Sequence, residues 1–516
     1  MTRANLTQKS DYVMAAFWGL LFAAVFPPSP FGWLAWISLA PLFKLVENKE
    51  CRTAFGLGWT WGVAHFVALI YWIVIAVGHY GKMSFITAIA AVLLLAIYLA
   101  IYPALFCSLV VLLKDTKSAS VWIPFSWVAL EYGRAKLLTG FPWCLTGYSQ
   151  YNHPLLIQVA AIFGVYGLSF AIILVNWYCY KVFLARNNHS LRQLIQSSLF
   201  TFLCVAVILW FGYQQLHPSI IPTQRKETSL RVAIVQPSID QSLKWDTRFQ
   251  NKTMELYETL TRAAASSNPD LVIWPETATP FFFQANEPMA KRVVALSQEL
   301  NCPILFGSPA YEESESNTRY YNRAYLLKPD GSMPQYYDKV HLVPFGEYVP
   351  LARVLSFVGK LVPGAGSFSP GSSFRPIEFH GSRFSVMICF EAIFPEISRT
   401  EKRQGAEFFV NLTNDAWFGK TSAPYQHLAM TVFRAVENRV PLVRAANTGF
   451  SAIIDPYGRI KAKSRLFTKE VLVGKITVSS THASTFYERY GDLFAKAALL
   501  ISFSVFIIAL VQRKGR

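Results

Sequence analysis

Seven long apolar runs before residue 216 and one more near the carboxyl terminus restrict this chain to folds that hide a large hydrophobic surface. The runs span roughly residues 12–27, 31–46, 55–78, 84–113, 119–138, 154–184, 195–215 and 492–511, and most reach the length of about 20 residues at which a helix crosses the hydrocarbon core. Hydrophobic residues make up 53% of the sequence and mean hydropathy is +0.30, more than a soluble domain carries, so the excess belongs in lipid. The expectation is a polytopic α-helical membrane domain of about eight transmembrane helices. The first two runs are short, and 119–138 contains Glu131, Arg134 and Lys136. An i, i+3 pairing of Glu131 with Arg134 would lower the cost of placing them near lipid.

Orientation follows from Lys and Arg, which collect in short cytoplasmic loops. With the amino terminus inside, the cytoplasmic segments hold Arg3, Lys9, Lys44, Lys49, Arg52, Lys114, Lys117, Lys181, Arg186, Arg192, Arg513, Lys514 and Arg516. The short outer loops hold only Lys82, Arg134 and Lys136. The first run lacks a small-residue cleavage site and reads as a retained anchor. This arrangement gives a seven-helix domain over 1–216, a linker over 217–229, an extracytoplasmic domain over 230–490, and a final helix with its cytoplasmic tail over 491–516. The net charge of +17 suits this topology and an anionic lipid surface. No basic stripe with interleaved aromatics points to nucleic acid.

From Leu230 the texture changes to short β-branched runs alternating with helical pattern. Strands are predicted at 232–235, 271–274, 303–306, 324–327, 384–388, 408–411, 441–446 and 450–455, with helices over about 247–266 and 424–439. Several strands are apolar throughout, which argues for a layered α/β domain with buried sheets.

Three residues of this stretch stand at or just past apolar or extended runs: Glu276 in Trp-Pro-Glu-Thr, Lys339 in Tyr-Asp-Lys-Val-His, and Cys389 in Met-Ile-Cys-Phe-Glu. A lone cysteine after a strand is more often inert core, a lone glutamate a cap, and a lone lysine a solvated surface group. Together they supply a nucleophile, a base and a fixed cation, the set needed to move an acyl group through a thioester. His341 is a rival base for a Cys-His reading. The nine histidines include no pair at metal-ligand spacing, and neither Gly364-Ala365-Gly366-Ser367 nor Gly419-Lys420-Thr421 has the context of a nucleotide loop, so no metal or cofactor is expected. Seven cysteines form no evident disulfide framework. Phe281-Phe282-Phe283 and the segment 354–362, with its single Lys360, read either as core or as loops that dip into lipid.

With Trp-Pro-Glu, the Lys339 segment and the Cys389-Phe390-Glu391 elbow in this order, the outer segment resembles the nitrilase superfamily. With seven spans before it and one after, the whole chain resembles the apolipoprotein N-acyltransferase family. The run Lys339–Pro350 and the run Asn411–Gly419 carry the more specific likeness. The resemblance implies a four-layer αββα sandwich with Glu276, Lys339 and Cys389 as catalytic triad, Glu347 and Glu391 as supporting residues, and Trp245 in a mobile loop. Phe390 stands where some members carry Tyr. It further implies transfer of a fatty acyl chain from a membrane phospholipid donor to the diacylated amino terminus of an apolipoprotein acceptor, at the periplasmic face of a bacterial inner membrane. A membrane-tethered amidase or nitrilase-type hydrolase, and a non-catalytic membrane scaffold that binds lipid or protein, stand as rival readings.

Overall fold

Backbone polar groups in lipid have no water to turn to, so an apolar run must satisfy them within its own helix. The computed structural model describes residues 3–116, 118–184, 191–217, 227–314, 317–348, 368–479 and 484–514. Contacts divide the chain into two units, one of Met1–Val74, Ile86–Ser219 and Thr485–Arg516, the other of Ile75–Phe85 and Ile220–Ser484.

The first unit is helical. Among its described residues Cys51–Ile70, Phe85–Leu113 (which starts at the unit boundary), Val165–Leu184 and Leu194–Leu216 are long and apolar enough to cross a membrane. Gly32–Val46, Pro154–Phe163 and Leu493–Ala509 are apolar but shorter. The runs expected near 12–27 and 119–138 fall mainly in helices Arg3–Ala23 and Ala119–Lys136, which are not among those four. The run read as a single span over 154–184 is interrupted. Gly164 takes a φ of +63° between helices Ala160–Phe163 and Val165–Cys179, and a Cβ there would lie 2.6 Å from Tyr487 Cε2. Only glycine takes that left-handed backbone without strain.

Polar side chains in this unit serve its backbone. The buried Asn176 Oδ1 accepts from the amides of Leu39 (2.7 Å) and Ala40 (3.2 Å), and its Nδ2 donates to the carbonyls of Ala35 and Ile172. It thus meets donors that the short helix Ala40–Val46 leaves orphaned at its start. Glu131 accepts from the Thr146 amide and hydroxyl, both at 2.7 Å, and Arg134 donates to the Trp143 carbonyl. Both charges therefore bind the segment that follows their helix.

The second unit contains two six-stranded sheets. Its strands are β1 (Glu227–Gln236), β2 (Leu271–Ile273), β3 (Ile304–Ser314), β4 (Asn317–Leu327), β5 (Gln335–Asp338), β6 (Ile377–Phe379), β7 (Ser382–Ile388), β8 (Phe408–Thr413), β9 (Leu442–Ala446), β10 (Ala452–Ile454), β11 (Ile460–Lys463) and β12 (Glu470–Ser479). The sheet orders are β12-β1-β2-β3-β4-β5 and β11-β10-β9-β8-β7-β6. At the centre of each, β1, β2 and β3, and β7, β8 and β9, run parallel.

Side chains of a strand alternate between faces, and here the two faces meet different partners. Leu230, Val232 and Ile234 of β1 join Phe384, Val386, Ile388, Phe408 and Val410 in a core between the sheets. Ala233 and Val235 turn the other way, onto Met254, Tyr257, Val293 and Leu296 of helices Gln250–Ala265 and Glu287–Leu300. Helices Pro395–Arg403 and Ala423–Asn438 pack on the second sheet, giving four layers in the order αββα. Strands buried on both sides explain the continuous apolar runs in the sequence.

Several elements lie beyond the sequence reading. Strand β1 begins at Glu227, ahead of the texture change at Leu230, because it pairs with β12 from Glu227↔Ser479 onward. Strands β5, β6, β11 and β12 and helices Glu287–Leu300 and Pro395–Arg403 were not predicted; the strands are short or edge-like and mix charge with apolar residues, so no clean period marks them. Phe281 is buried among the outer core residues, Phe283 packs against them, and the Phe282 ring meets Tyr311 at 5.2 Å. The core reading holds for Phe281 and Phe283, while Phe282 is partly buried outside that cluster. The segment 354–362 and most of the linker 217–229 lie outside the described residues.

Candidate active site

Strand ends create the site. Cys389 follows β7 directly, Lys339 follows β5, Glu276 comes three residues after β2, and Asn414 follows β8. In parallel strands the carboxyl ends share one edge, where side chains distant in sequence converge.

Two of these positions are held in strained backbone. Cys389 takes a φ of +53° and Thr277, next to Glu276, a φ of +46°. Left-handed conformations at non-glycine residues cost about 1–3 kcal/mol and persist where the surroundings enforce them. At Glu276 the surroundings include Gly307 of β3, where an added Cβ would lie 2.5 Å from the Thr277 nitrogen and 2.8 Å from the Glu276 Cα. Gly307→Ala is therefore expected to destabilise the unit by about 1–3 kcal/mol, the range for overpacking a filled site. It should also shift the Glu276 carboxylate away from its partners, and thermal melting against wild type would measure the cost.

Lys339 is 1% exposed. Its ammonium donates to Glu347 at 2.9 Å and lies 3.8 Å from Glu276 Oε1. Burial opposes its charge, but Glu347 and then Glu276 outweigh it, raising the lysine above its usual range. Asn322 Nδ2 bridges the two carboxylates, at 2.8 Å from Glu276 Oε1 and 3.1 Å from Glu347 Oε1. The second oxygen of Glu276 accepts from the Asn414 amide at 2.8 Å, and that of Glu347 from the Val343 amide at 2.8 Å. Each carboxylate keeps a defined orientation.

Cys389 is partly exposed as a residue. Burial of its thiol surroundings, followed by the Glu276 charge, pushes the thiol up, while Lys339 pulls it down. The Glu276 and Lys339 charges therefore both act on the Cys389 thiol.

Glu391 joins the strand segments that carry Cys389 and Lys339. Its Oε1 accepts from Tyr337 Oη and from the amides of Val340 and His341, and its Oε2 from the Ile388 amide. Burial nevertheless raises this fully buried carboxyl to about 7. In Glu391→Gln one donor would face the Ile388 donor, a mismatch that costs about 1–3 kcal/mol. A lower melting temperature is expected, since the clamp links residues flanking both Lys339 and Cys389.

The remaining predicted residues sit nearby in different roles. Phe390 is partly buried, its ring 5.1 Å from Phe394 and 6.1 Å from His341. His341 itself packs on Phe394 at 3.9 Å between ring centroids. Trp245 is 39% exposed. Its neighbour Lys244, missed in the sequence, is buried and donates to the Glu276 carbonyl (3.1 Å) and to Thr277 Oγ1 (2.6 Å). Burial lowers Lys244 to about 8. Asn322 and Asn414 were also missed, although Asn414 lies inside the Asn411–Gly419 run already singled out.

A cysteine, a carboxylate and a lysine at strand ends of a double-sheet sandwich describe the carbon-nitrogen hydrolase class, and residues 231–485 match the family of that name. Residues 18–178 match the apolipoprotein N-acyltransferase N-terminal domain. The apolipoprotein N-acyltransferase of Geobacter metallireducens is 45% identical over 496 residues, covering 95% of this chain and 94% of that protein. Those of Rickettsia bellii and Haemophilus ducreyi are 34% and 30% identical, each over 95% of both chains. Among solved structures, the carbon-nitrogen hydrolase from Helicobacter pylori G27 is 18% identical, with a TM-score of 0.38, over 48% of this chain and 89% of its own. The chain belongs to the apolipoprotein N-acyltransferase family, and it is an N-acyltransferase enzyme with membrane-type helices.

Proposed function

We propose that this enzyme moves a fatty acyl chain from a membrane phospholipid to the N-terminal amine of the diacylglyceryl-cysteine of apolipoproteins, through a thioester on Cys389. The observation that carries this reading is the buried ammonium of Lys339, 3.8 Å from Glu276, with both charges acting on the Cys389 thiol. Glu276 takes the thiol proton as sulfur attacks the ester carbonyl. Lys339 stabilises the oxyanion. The carbon–oxygen bond then breaks, and Glu276 returns the proton to the departing lysophospholipid. In the second half the acceptor amine attacks the thioester and gives its proton to Glu276. The carbon–sulfur bond breaks, and the proton goes back to the thiolate. Glu347, Glu391, Trp245 and Phe390 are assigned supporting or substrate-binding roles.

Both substrates are anchored in a bilayer by their own acyl chains, so the catalyst must work at its surface. The apolar runs support about eight spans, seven within 1–216 and one within 491–516, and the Lys and Arg distribution supports their orientation in a bacterial inner membrane. The linker 217–229 then delivers the catalytic domain 230–490 to the periplasmic side.

A hydrolytic reading, with water as acceptor, draws support from the carbon-nitrogen hydrolase match. Incubating the purified chain with phospholipid and a diacylated lipopeptide separates the readings. Amide formation supports transfer, free fatty acid alone supports hydrolysis, and neither product leaves a binding scaffold.

A further inference from the structure

Behind the nucleophile lies a buried polar cluster that the mechanism above does not use. His427, in the first turns of helix Ala423–Asn438, is 1% exposed, and Asp415 and Arg444 are both fully buried. The His427 Nε2 lies 3.1 Å from the Cys389 carbonyl oxygen. Its Nδ1 lies 3.1 Å from Arg444 Nη2 and 3.0 Å from Asp415 Oδ1. Arg444 Nη2 also donates to Asp415 Oδ2 at 2.8 Å, and Thr413 Oγ1 donates to Asp415 Oδ1 at 3.0 Å.

One of these contacts fixes a proton on the imidazole. The Cys389 carbonyl can only accept, so Nε2 must carry a proton. Nδ1 stands between a donor, Arg444, and an acceptor, the Asp415 carboxylate. Asp415 and Arg444 already balance one another, and a third charge would leave the buried cluster with a net charge of one. Burial first, then Arg444, holds His427 below its usual range, while Asp415 and the Cys389 carbonyl oppose this more weakly. Against its burial, Arg444 and then His427 hold the Asp415 carboxyl below its usual range. Nε2 therefore donates to the Cys389 carbonyl oxygen.

We infer that His427 is a positioning residue: its Nε2–H, aimed by Arg444, clamps the Cys389 carbonyl and so holds the nucleophile in the left-handed backbone that presents its sulfur to Glu276 and Lys339. The strained φ of +53° calls for such a restraint, since a free chain relaxes away from it. Arg444 is itself fixed, donating to Asn411 Oδ1 and to the Phe450 carbonyl, and Asn411 Nδ2 donates to the Met387 carbonyl on β7. The cluster thus ties the elbow to the strand that precedes it. This inference rests on the proposed role of Cys389.

Two polar variants of the full-length enzyme test it. His427→Gln places an amide N–H near Nε2 and an oxygen that can face Arg444. His427→Asn keeps a polar group near Nδ1 but is too short to reach the Cys389 carbonyl. The readouts are acyl-enzyme formation with phospholipid, followed by mass spectrometry, and alkylation of Cys389 by iodoacetamide. The Gln variant is expected to acylate within about 5-fold of wild type. The Asn variant should be about 10²-fold slower, the cost of a misplacement of about 1 Å, with KM for phospholipid changed less than twofold. Alkylation should follow the same order. Equal rates in the two variants would overturn the inference while leaving the Cys389 mechanism intact, as would a Gln variant as slow as expected for Asn. If the Asn variant does not fold, the Gln variant against wild type decides alone. A wild-type adduct mapped to any residue other than Cys389 would instead sink the mechanism on which the inference stands.

Discussion

Cys389→Ala is expected to yield a folded enzyme that accumulates no acyl adduct with phospholipid and forms no amide with a lipopeptide. The sulfur is the atom to which the acyl group would be bound, and no neighbouring group in the cluster replaces it. Glu276 and Glu347 are tied to Lys339 and Asn322. The substitution removes one sulfur from a partly exposed residue, so stability should stay within about 1 kcal/mol of wild type. The left-handed φ of this position is no easier for Ala than for Cys, so the backbone strain is unchanged. Intact-mass spectrometry after incubation with phospholipid, with melting as the control for folding, gives the result. An adduct of one acyl chain on the Ala variant would refute the assignment of the nucleophile.

Lys339→Met should cost both activity and stability, and a second substitution separates the two. Loss of one donor to a developing oxyanion lowers rates by about 10²–10³. Removal of the ammonium also leaves Glu276 and Glu347 facing one another in a buried site, and breaking such a pair costs about 3–5 kcal/mol. For a domain of this size that corresponds to a fall in melting temperature of roughly 6–20 °C. Adding Glu347→Gln removes the uncompensated charge that Lys339 held at 2.9 Å. The double variant is expected to regain most of the lost melting temperature and none of the lost acylation rate. A double variant that recovered both would mean that Lys339 serves the fold alone.

The supporting residues were legible to different degrees, for a common reason. Glu276, Lys339 and Cys389 could be singled out because each stands at or just past an apolar or extended run, a feature visible over a few residues. Asn322 could not, since it lies within β4 and looks like any polar strand residue until it meets a carboxylate 46 positions away. His427 sits in a helix whose every residue from Ala423 to Asn438 but Tyr425 is buried, so no polar face sets it apart. Glu391 was found by resemblance, but its role as a four-donor clamp depends on Tyr337, Val340 and His341 arriving from another sheet.

The sequence by itself determined that long apolar helices accompany an α/β domain and that a base, a cation and a thiol stand near its strand ends. Hydropathy over 20 residues and short apolar, β-branched runs of about five are local properties that survive in a one-dimensional reading. Only the tertiary structure decided which groups meet. The Asn414 amide reaches Glu276 across 138 positions, and the Cys389 backbone takes a conformation its side chain does not favour. Such contacts follow from the register of strands in two stacked sheets, in which a one-residue slip would turn every side chain to the opposite face.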